Sequence, residues 1–543
     1  MTWAPSDPRA EEVAPAAPRA ARPAAVPRTA VVGGGIAGLA AATALSERGV
    51  STTVFEREAG LGGRLRGWPT VLRDGSDATM SRGFHAFFRQ YYNLRALLAR
   101  IDPELGMLSP LPDYPLVHAN GLRDGFTGLP ASPPLNAFAL AARSRSFPAR
   151  ELARVNIAAA LQLLDVDVPG IYRRLDHRDA PALLEAVRFP PRARHLAFEV
   201  FSRSFFAEPA QLSAAELAVM FHLYFLGSSE GLLFDVANAP FPRALWNPWS
   251  AYLARRGVRQ RLSAPVSRIT PGERRRFAVH AKGRAAEEFD AVVLATDVSG
   301  LRGLAAGSPA LGGRDWRRRA LAAPSAPPFL VSRLWLDRPV RAERPGFLGT
   351  AGYPTLDNIS VLERFEDEAA QWARRTGGSV VELHAYALPE SCDERIERRR
   401  LIAQLHRVFP ETARAVVVDQ RHELRADCPL FPPGGYADRP TPATPDPRLV
   451  VAGDHVRVDL PVALMERAAT SGLMAANELL AGWGLPGHRL WTVPLRGRWA
   501  PMRALARWGR AGVNRATDPT SAACSAAPRR RGRRATGAGP PRA

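Results

Sequence analysis

One stretch, Thr29 to Arg64, restricts what this chain can fold into more than any other: TAVVGGGIAGLAAATALSERGVSTTVFEREAGLGGR. A β-branched run, Thr29 to Val32, leads into Gly33, Gly35 and Gly38, spaced G-x-G-x-x-G, and an alanine-rich helical stretch follows. A second β-branched run, Ser51 to Phe55, ends on Glu56. Each residue type has a physical task. Gly33 turns the chain sharply off its strand, Gly35 removes the side chain that would hold a pyrophosphate away, and Gly38 with Ala42 lets the helix lie close to the sheet. The helix N-terminus offers free N–H groups and a positive dipole end to phosphate. Glu56, 18 residues past Gly38, stands where a carboxylate takes both hydroxyls of an adenosine ribose. A lone G-x-G-x-x-G matches many alanine-rich helices by chance. Flanked by two strands, with the acid at this distance, it reads as a dinucleotide site.

A chain of 543 residues, 46% of them hydrophobic, can bury a large two-lobed core or two to three domains. Cys392, Cys428 and Cys524 are far apart, and the eleven histidines show no metal-ligand spacing, so redox chemistry here needs an organic cofactor. The formal charge of +21 is unevenly spread: from Pro486 to Ala543 there are 13 arginines and one aspartate. A basic tail suits nucleic acid or anionic lipid. No nucleic-acid recognition fold is legible, so lipid is expected. Residues 1–28 lack an apolar signal-peptide core and read as a disordered leader. The most apolar run, Leu217 to Leu226, is too short to span a bilayer and contains His222.

The chain alternates between two lobes. A nucleotide lobe is expected from residues 29–80, 249–300 and 441–485. A substrate lobe is expected from 81–248, a mostly helical insert with helices over Ala137 to Gly170 and Pro181 to Phe225, the second broken at Pro209, and from 301–440, with strands at Phe329 to Leu336, Ile359 to Leu362 and Val380 to Leu388. Leu449 to Asp454 (LVVAGD) reads as a buried strand ending on Gly453-Asp454, followed by a helix from Pro461 to Leu480. Residues 486–543 form a basic tail. On a helical wheel, Arg503, Arg507 and Arg510 fall on one side of it and Met502, Leu505 and Trp508 on the other, the pattern of an interfacial helix. Beyond Ala516 the composition is low-complexity and reads as disordered.

Glu56-Arg57 followed by Gly62-Gly63-Arg64 resembles the flavoprotein superfamily of amine oxidases and carotene desaturases. The resemblance implies FAD, held in a two-lobed, Rossmann-type, glutathione-reductase-like α/β fold with an α+β substrate domain. It assigns Gly63 and Arg64 to the pyrophosphate and the backbone of Val266 to adenine. Asp454, after Gly453, falls to the ribityl chain, and the helix opening near Met465 to the flavin's pyrimidine edge. SRGFHAFFRQYYN (81–93) resembles a run of the plant-type phytoene and ζ-carotene desaturases, with Ser81 where those carry an acid. The longer runs 68–93 and 198–235 resemble the actinobacterial β-carotene desaturase/methyltransferases, or isorenieratene synthases, over about residues 29–485.

That family implies a β-carotene substrate; with the basic tail, peripheral membrane association on the inner face of the cell membrane is expected, with no nucleic-acid partner and an electron acceptor the residues do not identify. For the base that such chemistry needs, His85, in the aromatic run, and Glu230, expected to be buried beyond the most apolar helix, are the nominees; a core histidine or a helix cap explains either equally well. A linear carotene desaturase or carotene isomerase stays open, as do an amine oxidase and a non-catalytic lipid escort. The sole lysine, Lys282, sits away from any expected flavin contact, which counts against the amine reading. Joint retention of Glu56, Arg64 and Asp454 counts against the escort.

Overall fold

A computed structural model describes residues 3–18, 25–197 and 205–517, with side chains up to residue 508. The nucleotide lobe is built on a five-stranded parallel sheet in the order Arg259–Arg261, Ser51–Phe55, Arg28–Val32, Ala291–Leu294, Leu449–Val451. Arg28–Val32 is nearly fully buried, in keeping with an unbroken β-branched run covered on both faces. Gly33 leaves this strand at φ +115°, where any side chain would collide with the Ala295 carbonyl. The helix Ile36–Glu47 then packs against the closing helix Leu464–Gly482. Their alanines and Gly472 permit the contact: a Cβ on Gly472 would strike the Ala37 carbonyl.

The substrate lobe carries a seven-stranded sheet in the order Val417–Arg425, Phe329–Leu336, Ser379–Ala385, Asn358–Val361, Phe347–Ala351, Leu116–His118, Arg123–Asp124. Side chains alternate across it. Val381, Leu383 and Ala385 join Leu330 and Leu334 in a core beneath the helix Glu394–Val408, with Leu401 and Leu405. Glu382 and His384 lie on the opposite face, toward the interior cleft.

Three expectations are corrected. The insert's two long helices are broken into pieces. Leu135–Arg143, Ala149–Leu152, Ile157–Ala160 and Gly170–Leu175 replace the first. Ala180–Val187, Arg194–Ala197 and Ala214–Phe221 with a π turn at His222–Leu226 replace the second. The break expected at Pro209 is present, and Pro148, Pro169, Pro190 and Pro191, each removing a backbone donor, explain the further ones.

The leader is not simply disordered. Glu11–Val13 pairs antiparallel with Leu490–Thr492, and buried Asp7 bonds the Arg498 guanidinium at 2.5 and 3.1 Å. Residues 7–13 and 490–498 are thereby tied to each other, and the first residues of the basic tail belong to the folded body. The tail helix is real, Ala500–Thr517, and docks on Ile157–Ala160 and Leu161–Leu163. Its arginines reach back to the body rather than standing free: exposed Arg507 meets buried Asp165 at 3.4 Å and half-buried Arg503 bonds the Gly497 carbonyl. Leu505 and Trp508 point out, 50% and 77% exposed. The Arg510 side chain, Cys524 and the expected disorder past residue 517 lie outside the described residues, as do 198–204 of the aromatic run.

Candidate active site

A cavity of about 520 Å³ runs between the lobes. At one end it is lined by Gly33, Gly35, Glu56, Arg57, Gly63, Arg64, Val266, Gly453, Asp454 and Met465, so every residue assigned to the cofactor except Gly38 opens on one space; Gly38 lies behind it, where a Cβ would strike the Gly33 carbonyl. The glycine turn and strand ends bring them there. A Cβ on Gly35 would project into the cavity and meet only Gly63 across it, at 3.7 Å. The helix behind Gly35 has no side-chain cap, so its first N–H groups are left for a ligand. Glu56 accepts from the Gly34 and Glu58 amides at 2.7 and 2.9 Å, which fixes the carboxylate at the end of its strand. Burial nonetheless pushes its carboxyl up.

Arg64 pairs with Asp454 at 2.5 Å, joining the first and last segments of the nucleotide lobe; burial opposes its charge, but Asp454 holds it firmly protonated. Arg57 is braced by Asp297 at 3.1 Å and half-exposed at the rim. The closing helix also begins at the cavity without a side-chain cap, and Leu464 there takes φ +50°, a left-handed conformation rare for leucine. Two uncapped helix starts, an acid at the second strand's end and a partly buried arginine form a cradle suited to a pyrophosphate, a ribose and the electron-rich edge of a flavin.

The far end of the cavity is aromatic. Phe84, Phe88, Tyr114, Phe206, Phe329 and Phe347 line it, with Phe84 stacked on Phe347 at 4.5 Å between ring centres. His85 lies on this wall. Its Nδ1 meets the Gly83 carbonyl at 2.9 Å, and burial lowers its pKa to about 4, so the ring is neutral near pH 7. Glu230 is elsewhere. It is partly exposed, does not line the cavity, and accepts from Ser6 Oγ at 2.8 Å and the Asp7 amide at 3.1 Å. The expected buried acid is instead a clasp for the N-terminal strap, because the 227–231 turn carries it to the surface.

Sequence reasoning missed His384 and Tyr386, which also face the cavity, and Glu382 behind them. Their signal was present: in VVELHAYAL the polar residues recur at every second position, the mark of one strand face. Arg82 and Asp427, paired at 2.5 Å beside the cradle, were missed as well.

A two-lobed Rossmann-type fold with this cradle facing an apolar chamber defines an FAD-dependent oxidoreductase. Residues 36–480 match the family described as flavin containing amine oxidoreductase. The carotenoid phi-ring synthase of Streptomyces griseus is 60% identical over 480 residues, covering 88% of this chain and 93% of that protein. The carotenoid phi-ring synthase of Chlorobaculum tepidum is 26% identical, covering 87% and 91%. Among solved structures, a wild-type putrescine oxidase bound to putrescine superposes with a TM-score of 0.61 at 17% identity, over 84% of this chain and 99% of that one, a likeness of fold alone. The chain belongs to the flavin containing amine oxidoreductase family, in the group that includes the carotenoid phi-ring synthases.

Proposed function

We propose that this enzyme converts the β-ionone ring of β-carotene to an aromatic ring, by desaturation with a 1,2-shift of one geminal methyl. The observation that carries the reading is the continuity of the cavity: the cradle opens directly onto a chamber walled by phenylalanines, with space for an apolar ring. The similarity to proteins named carotenoid phi-ring synthases supports it.

Bound FAD supplies the hydride acceptor. Gly35, Gly63 and Arg64 would hold its pyrophosphate, Glu56 its ribose and Asp454 its ribityl chain, and the positive end of the closing helix would favour the reduced, anionic flavin. Phe84, Phe88 and Phe347 exclude water from the cationic ring left by hydride loss, so that the methyl shift outruns capture by hydroxide. His85, neutral near pH 7, stands on the same chamber wall. The methyl never leaves the substrate, so no methyl donor is required. The experiment is incubation of the FAD-loaded protein with β-carotene, reading the mass of the product ring.

A substrate of this kind resides in lipid, and the reading extends to a peripheral site on the inner face of the membrane. Among the described residues no helix is long and apolar enough to cross a bilayer. Outward Leu505 and Trp508 belong to a group of exposed apolar side chains on neighbouring short helices, with Leu135, Phe138 and Ile157. Trp499 ties the start of the tail helix to this group through its bond to the Pro133 carbonyl at 2.9 Å. An outward apolar face on an arginine-rich helix fits an anionic lipid surface. Substituting both Leu505 and Trp508 by Asp is expected to reduce sedimentation with phosphatidylglycerol vesicles at least tenfold, while turnover of detergent-dispersed substrate is kept. Undiminished vesicle binding would remove the lipid assignment.

A further inference from the structure

Aromatising one ring removes two hydrides and two protons, so the reading above requires a proton acceptor with somewhere to pass its load. His85 faces the cavity, but among the described residues its ring bonds only the Gly83 carbonyl. Among the described residues no carboxylate bonds it that would balance an imidazolium.

On the other side of the Gly83 turn lies a longer chain of groups. Tyr386 lines the cavity, and its Oη stands 2.6 Å from His384 Nδ1 and 3.1 Å from Asn358 Nδ2. His384 Nε2 stands 3.0 Å from Glu382 Oε1. Glu382 is wholly buried; its other oxygen takes two bonds from Arg333, at 2.8 and 3.0 Å, and the Phe84 amide donates to Oε1 at 2.6 Å.

Three facts make this a built array. The strand places residues 382, 384 and 386 on one face by its period of two. Gly83, at φ +99°, lets the backbone pass over the imidazole, since a Cβ there would stand 2.7 Å from His384 Nε2. Arg333 is anchored in turn by the Thr79 carbonyl and Ser81 Oγ, both at 2.8 Å.

The hydrogen-bond directions follow from the donors. Burial works against the Glu382 charge, but Arg333 holds its carboxyl down to about 2, so it only accepts. His384 therefore donates from Nε2 and accepts at Nδ1. Asn358 donates to the phenol oxygen, and Tyr386 directs its O–H at His384. One lone pair on Tyr386 Oη is left over.

We propose that Tyr386 Oη accepts the proton leaving the cationic substrate ring, with His384 receiving the phenolic proton and Glu382 balancing the imidazolium. One ring C–H bond breaks and its electron pair becomes the new double bond. The proton forms a bond to the phenol oxygen, and the original O–H proton moves to Nδ1. This step consumes no oxidant. A phenol is a weak base, but a carbocation is a very strong acid, so position rather than basicity is what the step requires. Tyr386 is the catalytic group; His384 and Glu382 act through it as positioning residues.

The test uses the full FAD-loaded chain and β-carotene deuterated on its ring methylene carbons. Tyr386→Phe is expected to lower kcat about 10²- to 10⁴-fold, with KM, flavin content and melting temperature unchanged. The substrate isotope effect on turnover should rise, because proton loss becomes rate-limiting; a merely structural residue would not move it. His384→Gln, which keeps an acceptor near Oη but cannot carry the proton, should show the same split in kcat and the same rise. Wild-type kcat and an unchanged isotope effect in Tyr386→Phe would overturn the assignment. A wild-type protein that leaves β-carotene intact would instead sink the ring-modifying reading on which this one rests.

Discussion

Replacing Glu216 by alanine is expected to destabilise the protein by about 3–5 kcal/mol, the cost of breaking a buried ion pair from one side. Glu216 is fully buried on Ala214–Phe221 and receives Arg467 at 2.8 Å, the Arg439 guanidinium, and the Tyr172 hydroxyl at 3.1 Å. Arg439 also lies over Phe431, and Arg467 over the same ring, each 4.6 Å from its centre. Removing the carboxylate leaves two nearly buried guanidinium groups packed on an aromatic ring without their anion. Denaturant titration checks the value.

The same group gives a pH dependence with a definite sign. Burial opposes the Glu216 charge, but Arg467 and Arg439 hold its carboxyl at about 2, below its ordinary 4.5. Its folded pKa is depressed, so its contribution is complete above about pH 4.5 and is lost as the pH falls toward 2. Across that window the melting temperature of the native protein should fall more steeply than that of Glu216→Ala.

Arg64→Ala is expected to weaken FAD binding about 10- to 100-fold, the worth of a charge-assisted contact to phosphate. The mutation acts twice. It removes the cation from the cradle, and it strips Asp454 of its 2.5 Å partner, leaving a carboxylate to repel the diphosphate. Arg64→Lys should recover only part of the loss, because a point charge does not reproduce the planar fork. Flavin fluorescence titration measures both variants, and unaltered FAD affinity in Arg64→Ala would remove this residue from the pyrophosphate site.

The nucleotide lobe was legible because its signals are local. Gly33, Gly35 and Gly38 are demanded by turn and phosphate geometry, and Glu56 by the end of a short strand; each sits within a few residues of the element that justifies it. The strands Ser51–Phe55 and Phe329–Leu336 match their expected limits, since β-branched and aromatic runs bounded by polar residues leave little choice. The helix Glu394–Val408 went unread, because ERIERRRLIAQLHRV hides its narrow apolar stripe among charges.

The substrate side was harder for a different reason. Tyr386, His384, Glu382 and Arg333 are assembled by cross-strand register, with Arg333 opposite Glu382 and His384 opposite both Val331 and Asn358. Nothing within a single segment announces those pairings. Glu230 illustrates the converse error: an acid beside an apolar helix suggests burial, but the Asp7 and Ser6 partners that draw it outward lie more than two hundred residues away in the chain. The leader and tail were misjudged alike, since Glu11–Val13 and Leu490–Thr492 are strands only by virtue of each other.

The most direct measurement is the mass of the carotenoid recovered after the FAD-loaded protein is incubated with β-carotene in lipid dispersion. The account predicts loss of four hydrogens per converted ring with every carbon retained, and a trimethylphenyl end group. Unchanged β-carotene beside desaturated ζ-carotene would contradict it and assign the cavity to a linear substrate.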